Sequence, residues 1–308
     1  MQKPLVAINC ITYNHEAYIR DALDGFVMQK NKFPYIAIVH DDASTDNTST
    51  IIREYASKYP NIIKPIYETE NQYSKGYENI DTVMRIACEA SGAKYIALCE
   101  GDDYWTDPYK LQEQVDFLES HPDFAMIFTN ADVISPTNES STMFSHLKTQ
   151  EYSPIEIYQK WSVPTASVVF KKEVYSSQLY SKLMNLKNPV MGDIQLFLAC
   201  SSIGKIYCNN KKTCVYRQLS TGATAYNNKH GYKFFKHRIG ISKIMGKEYV
   251  KADAINLTRS YFLWLLKHPY KDFPTNIKFL CRLFCFAPSE CIKRLIQVPL
   301  LIITKIKH

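Results

Sequence analysis

The chain lacks a Gly-x-Gly-x-x-Gly after its first apolar stretch, and it has no lysine-bearing Walker loop. Both devices cradle phosphate on glycine backbone, so a Rossmann dehydrogenase or a P-loop enzyme is disfavoured. No apolar run reaches the ~18–20 residues needed to span a bilayer. The nine cysteines are an odd number and form no Cys-x-x-Cys pair, which argues against a disulfide frame or a zinc site. Cys281, Cys285 and Cys291 fall at roughly helical spacing, but core packing is the expected role there too. Met1-Gln2-Lys3-Pro4 leads straight into a strand-like segment, so a secretory leader is not expected. The thiols are therefore read as reduced, and the sequons at Asn47, Asn138 and Asn256 carry no weight. The location expected is cytoplasmic. No internal repeat is visible.

What is present is a folded composition: 308 residues, 46% hydrophobic and 13% aromatic. That length accommodates one large α/β domain plus an extension, or two modest domains. The net charge of +7 is unevenly placed. From Lys229 to His308 there are 16 Lys and Arg against four acids, a local +12 that leaves −5 for the rest. A basic, aromatic tail on an acidic body suggests an anionic partner. Phospholipid head groups are favoured, on the inner face of the cytoplasmic membrane, and nucleic acid is not expected. The apolar stretches Tyr261–Leu266 and Leu295–Ile303, flanked by lysines, fit interfacial contact. A helical subdomain with a solvated basic face is the alternative.

In chain order, Leu5–Thr12 reads as a buried strand, and Tyr18–Met28 as a helix with Tyr18, Ala22, Leu23, Phe26 and Val27 on one face. Tyr35–His40 is a second strand, followed by a helix carrying Ile51, Ile52 and Tyr55, with Thr45 or Asp46 as its cap. Ile62–Tyr67 and Tyr95–Cys99 are further strands, the second preceded by a helix over Val83–Ala90. Asp107 and Pro108 open a helix that buries Leu111, Val115 and Leu118. Phe124–Thr129 and Pro164–Phe170 have strand character, and Lys205–Cys208 with Thr213–Arg217 read as a last pair. Asn130–Thr149, rich in Ser, Thr and Asn, reads as a long mobile loop, either a lid or a surface excursion. Strands alternating with helices predict a mostly parallel, doubly wound sheet.

Three of these strands end in polar or acidic clusters: Thr12-Tyr13-Asn14, Asp41-Asp42 and Glu100-Gly101-Asp102-Asp103. In a parallel sheet those ends share one edge, where open α/β sheets bind ligands. Gly101 permits the sharp exit from the fourth strand. Clustered carboxylates repel unless a cation or hydrogen bonds compensate, and Mg²⁺ or Mn²⁺ with phosphate oxygens would do so. A solvated acidic turn is the competing explanation. Asp193 stands where a helix begins, as an N-cap or as something more. Arg217, followed by Gln218-Leu219-Ser220-Thr221-Gly222, offers a cation and hydroxyls to an anionic group.

In this order, Ile11–Glu16, His40–Asp46, Asn71–Asn79, Glu100–Asp103 and Gly192-Asp193 resemble the motifs of family 2 glycosyltransferases. The resemblance covers residues 4–222. It implies the GT-A fold, a Rossmann-like sheet flanked by helices, over 1–225, with a helical extension over 226–308. It implies that Thr12, Tyr13, Asn14 and Glu16 line a nucleotide pocket, and that Asp41 and Asp42 approach the base. Lys75 and Arg217 would approach the diphosphate. Asp102, with Asp103 beside it, would hold Mg²⁺ or Mn²⁺, and Asp193 would be the general base of an inverting transfer. The family pattern has an aspartate where this chain has Glu100, so the role of Glu100 toward ribose or metal-bound water is open. The expected donor is a nucleotide-diphosphate sugar, most simply a UDP-sugar. The expected acceptor is a glycan or lipid-linked hydroxyl of cell-surface polysaccharide synthesis. A nucleotidyltransferase is a second candidate, though Thr12-Tyr13-Asn14-His15 lacks the glycine-rich basic loop that would hold a triphosphate. A non-enzymatic polyanion-binding module is a third.

Overall fold

The computed structural model describes residues 3–137, 139–186, 192–219, 231–256, 281 and 283–293. The chain divides into two compact units, Met1–Tyr226 and Asn227–His308.

The first unit is built on a ten-stranded sheet. In chain order its elements are β1 (Val6–Thr12), α1 (Ile19–Val27), β2 (Tyr35–Asp41), α2 (Thr48–Lys58), β3 (Ile63–Tyr67), α3 (Tyr77–Ala90) and β4 (Tyr95–Leu98). There follow β5 (Tyr104–Trp105), α4 (Lys110–Ser120), β6 (Phe124–Ile134), β7 (Ser140–Thr142), β8 (Gln150–Tyr152) and α5 (Pro154–Lys160). The unit closes with β9 (Val169–Lys171), α6 (Gln178–Met184), α7 (Gly192–Cys200) and β10 (Lys205–Arg217). The strand order is β3-β2-β1-β4-β9-β6-β10-β5, with β7 on β6 and β8 on β10.

The first four strands along the sheet are parallel, as alternating strands and helices require. The other half is mixed. β9 runs antiparallel between β4 and β6, while β6 and β10 are parallel to one another. Chain order alone does not reveal this insertion, because β9 is only three residues long and follows a short 3-10 turn at Thr165–Ser167.

Two stretches depart from the sequence expectation. Residues 130–149 are not one long loop: β6 continues to Ile134 and β7 folds back onto it. The amide of Asn130 is spent inside, donating to the Phe144 carbonyl (2.9 Å) and Asn210 Oδ1 (2.8 Å). Lys205–Arg217 is one strand instead of a pair, because register shifts around Asn209–Lys212 absorb the polar residues as bulges along β6.

The helices follow their apolar periodicity. On α1 the buried face is Ile19, Ala22, Leu23 and Phe26, so Ile19 takes the place expected for Tyr18. Asp46 Oδ1 accepts the Thr48 N–H (2.9 Å) at the start of α2. Asp107 Oδ1 accepts the Tyr109 N–H (2.9 Å) ahead of α4, which opens two residues later than Pro108 suggests. α3 begins at Tyr77, a turn and a half ahead of its apolar stretch.

Trp105 anchors the core beneath the sheet's edge. Its ring meets Phe26 edge-on at 5.2 Å, and its indole N–H donates to the Ala166 carbonyl (2.7 Å). Lys110 is buried beside it, with Nζ 4.2 Å from the Trp105 ring and 2.7 Å from Gln114 Oε1. All nine cysteines are free, and seven of them are buried; Cys281 and Cys285 are exposed.

In the second unit, the helix Gly231–Met245 places Arg238 against Asp253 in a buried ion pair of 3.0 Å. Tyr261–Leu266, Leu295–Ile303, Lys267, Arg294, Lys305 and Lys307 lie outside the described residues. No helix among the described residues is long and apolar enough to cross a membrane.

Candidate active site

The tips of β1, β2 and β4 meet because their register aligns them. Thr12 stands opposite Asp41, and Asn9 opposite Leu98, so all three chains leave the sheet on one edge. The loops after β1 and β2 are then stitched together by side chain-to-backbone bonds. Asn14 adopts left-handed backbone (φ 54), and its Oδ1 accepts the Thr45 N–H (2.8 Å) while its own N–H donates to Ser44 Oγ (2.9 Å). Glu16 Oε2 accepts both the N–H and the side-chain amide of Asn47, each at 2.9 Å. Asn14 and Glu16 thus frame this edge through hydrogen bonds to the facing loop. Tyr13 is exposed at the rim. Thr12 is buried, and neither its Oγ1 nor His15 Nδ1 has a hydrogen-bond partner among the described residues. Two orphaned polar atoms at a strand tip are what a bound polar ligand would satisfy.

Asp41 and Asp42 are both buried. Asp41 Oδ1 accepts the Ser44 N–H (3.2 Å). The Asp42 carboxylate is held by the N–H groups of Gln72 (2.7 Å) and Tyr73 (3.0 Å), and its carbonyl accepts from Asn71 Nδ2 (3.2 Å). Asp42 therefore fixes the position of the 71–75 segment. Lys75 at the end of that segment pairs with Glu70 at 2.6 Å, and both side chains are exposed.

The acidic turn after β4 is pressed against β1. Gly101 donates its N–H to the Ile11 carbonyl (2.9 Å), and a Cβ at this position would lie 2.6 Å from Thr12 Oγ1. Only glycine lets the two chains approach so closely. The three carboxylates of the turn face different ways. Asp103 points inward: it is buried, and its Oδ1 accepts the Arg217 N–H (2.9 Å). Burial and the charges of Asp102 and Glu100 push the Asp103 carboxyl well up. Glu100 keeps part of its surface in solvent, yet its carboxyl sits among protein that desolvates it. Burial first, then the charges of Asp102 and Asp193, raise it to about 8.

Asp193 is the second residue of α7. Its Oδ1 accepts the Ile194 N–H (2.8 Å) and its Oδ2 accepts the Thr165 hydroxyl (3.1 Å). Burial raises the Asp193 carboxyl, against the opposing pull of these two hydrogen bonds. The Thr165 bond ties Asp193 to the 3-10 turn at Thr165–Ser167, which leads into β9, the strand beside β4. Arg217 closes the group from the end of β10. Its Nη1 donates to the Asp102 carbonyl (2.8 Å), and Nη2 meets Asp21 on α1.

The donor set fits a divalent cation that takes most of its shell from elsewhere. Glu100 and Asp102 belong to one acidic turn, where a hard cation would offset their like charge. Among the described residues, no three His, Cys, Asp or Glu side chains gather to hold a metal by themselves.

The sequence profile of glycosyl transferase family 2 matches residues 8–177, more than half of the chain and the whole of this edge apart from Asp193 and Arg217. The chain belongs to that family. The chain is 34% identical over 236 residues to an uncharacterized protein of Mycobacterium tuberculosis, covering 76% of this chain and 64% of that one. It therefore spans about 64% of the length of those relatives. It is 26% identical over 258 residues to the dTDP-rhamnosyl transferase RfbG of Shigella flexneri, covering 79% of this chain and 83% of that one. Among solved structures, S. aureus TarS 1–349 with UDP-GlcNAc superposes with a TM-score of 0.71 at 17% identity, over 93% of this chain and 82% of that one. The mannosyltransferase PcManGT of Pyrobaculum calidifontis, solved with GDP-Man and Mn²⁺, gives 0.54 at 16% identity, over 94% and 88%. The fold is that of GT-A glycosyltransferases.

Sequence reasoning missed Thr165, Asp21 and the Gln72 and Tyr73 amides. None carries a local signal, since each matters only through a partner at least 28 residues away.

Proposed function

We propose that this glycosyltransferase moves a sugar from a nucleotide-diphosphate donor, a UDP- or dTDP-sugar, to a hydroxyl of a glycan or lipid-linked acceptor, with inversion. The observation that carries this reading is the convergence of the β1, β2 and β4 tips on one sheet edge, where Arg217 closes the Glu100–Asp103 turn. The solved neighbours bound to UDP-GlcNAc and GDP-Man support a nucleotide-sugar donor.

The nucleoside lies over the β1 and β2 tips, where Thr12 Oγ1 and His15 Nδ1 await partners and Tyr13 stands at the rim. The loops framed by Asn14, Glu16, Asp41 and Asp42 hold its outline. Asp102, with Glu100 beside it, is where Mg²⁺ or Mn²⁺ would sit, supplying charge neutralisation for the departing diphosphate. Asp103 backs that position from inside. Lys75 reaches the phosphates only by leaving Glu70. Asp193 takes the proton of the acceptor hydroxyl as it attacks the anomeric carbon. A carboxyl raised by burial is a stronger base than one in water, and the Thr165 hydroxyl holds its other oxygen in place. A single displacement turns an α-linked donor into a β-linked product. The basic region beyond Lys229 fits an acceptor carried on an anionic membrane surface.

The test is a panel of nucleotide sugars offered with Mg²⁺ or Mn²⁺, read as nucleoside diphosphate released and product formed. Asp102→Asn and Asp193→Asn should each abolish transfer while circular dichroism stays native. Near-normal turnover by Asp193→Asn with donor and acceptor both present would remove Asp193 from the base role. Metal-independent donor affinity would remove the cation from Asp102.

A further inference from the structure

We propose that Asp21, on the outer face of α1, is a positioning residue that acts through Arg217 to hold the Glu100–Asp103 turn in its working shape. The role assigned to that turn rests on the function proposed above; the clamp itself rests on contacts alone.

The turn needs holding. Three carboxylates within four residues repel one another, and each would lower its energy by splaying toward water. Asp103 does the opposite and is buried. Gly101 ties the start of the turn to Ile11, and Arg217, at the end of β10, holds its second half. Arg217 meets the turn twice: its backbone N–H reaches Asp103 Oδ1 (2.9 Å) and its Nη1 reaches the Asp102 carbonyl (2.8 Å). The carbonyl bond fixes the peptide plane between Asp102 and Asp103, and with it the direction in which the Asp102 side chain leaves the backbone. Nothing else from outside the turn is bonded to that carbonyl among the described contacts.

The guanidinium is in turn placed by α1. Its central carbon lies over two rings, 4.3 Å from the Tyr104 centroid and 5.3 Å from that of Tyr18. Ring contact is weakly directional, so the orientation of the guanidinium is set by its hydrogen bonds: Asp21 binds Nη2 while Nη1 holds the turn. Asp21 also offsets the positive charge of Arg217, so that the guanidinium serves as a hydrogen-bond donor to the turn and is not drawn over to the Asp102 carboxylate. A lysine at 217 reaches one of these partners at a time, whereas the planar fork reaches both. Asp21 touches neither the donor edge nor any of its carboxylates, so its effect on the reaction passes through Arg217.

The experiment is hydrogen–deuterium exchange on the full chain without ligand, read over residues 99–106, with transfer kinetics in parallel. Asp21→Ala and Arg217→Lys should exchange about five- to tenfold faster across the turn, and Asp21→Glu should restore protection. Glu54→Gln, which weakens the exposed pair between Arg20 of α1 and Glu54 of α2 (2.8 Å), should leave the turn within about twofold of native. In transfer assays Asp21→Ala should lower kcat about tenfold with KM within about threefold, the mark of a misdirected group and not of lost binding. Native exchange across the turn in Asp21→Ala, or equal loosening in Glu54→Gln, overturns the clamp. Should the native chain turn over no nucleotide sugar, the proposed function fails by itself, and the exchange data still decide the clamp.

Discussion

Gly101→Ala tests the closest approach in the site. A Cβ built on Gly101 lies 2.6 Å from Thr12 Oγ1, 2.7 Å from Thr12 Cβ and 3.1 Å from His15 Nδ1. Carbon atoms prefer about 3.5–4.0 Å, so the overlap with Thr12 is roughly 1 Å. Thr12 cannot step aside. It is β-branched and buried, and its carbonyl is bound by the Asp42 N–H at 3.0 Å. The turn must lift instead, stretching the 2.9 Å bond from Gly101 N–H to the Ile11 carbonyl. Overpacking costs about 1–3 kcal/mol and the lost hydrogen bond about 1, so the variant should lose about 2–4 kcal/mol. At about 2–4 °C per kcal/mol for a unit of this size, the melting temperature should fall by about 5–15 °C. Urea denaturation and nucleotide titration, both followed through Trp fluorescence, measure the two consequences. Gly204→Ala is the matched control: its Cβ would meet the Asp123 carbonyl at 2.7 Å, away from the site. It should lose comparable stability and keep nucleotide binding where folded, whereas Gly101→Ala should lose both. A Gly101→Ala protein with native midpoint and native nucleotide affinity would refute the packing argument.

Thr165→Val removes the hydroxyl that stabilises the ionised Asp193 carboxylate. The Asp193 carboxyl, already raised by burial, should rise further, and the acid limb of kcat/KM should move to higher pH; an unmoved limb would detach Asp193 from that limb. Lys110 offers a stability test with the opposite sign. Burial lowers its folded pKa to about 8 from 10.5, so the unfolded chain binds more protons between those values and this group adds stability as pH rises through that window. The raised cysteine thiols work against it above pH 9, so the comparison is native protein against Lys110→Met: the difference should shift in favour of the native protein by up to about 3 kcal/mol between pH 8 and 10.5. A pH-independent difference would mean that Lys110 keeps its unfolded pKa and stays protonated when folded. Asp42→Asn weakens the charge-assisted bonds to the Gln72 and Tyr73 N–H groups and should cost about 1.5–3 kcal/mol, with faster proteolysis near residues 70–75. Native cleavage kinetics there would show that Asp42 does not order the segment.

The buried parallel half of the sheet was legible in the sequence because continuous apolar runs such as Tyr35–Val39 and Tyr95–Cys99 leave strand burial as the only economical reading. The acidic turn was legible for a related reason. A strand that ends in Glu-Gly-Asp-Asp places three carboxylates within one turn, though which of them faces outward is not set locally: Asp103 turns inward. The chain also determined family membership, because five short motifs in a fixed order survive without long-range information. What it did not determine was the purpose of each polar side chain at that edge. Asn14, Glu16 and Asp42 read as ligand contacts, yet in the fold they carry hydrogen bonds between loops about thirty residues apart. Arg217 read as an anion site and is engaged by Asp102 and Asp21. A polar side chain in sequence advertises hydrogen-bonding capacity but not its partner. Only tertiary structure decides whether that capacity is used within the protein or left unmet, as at Thr12 Oγ1 and His15 Nδ1 among the described residues.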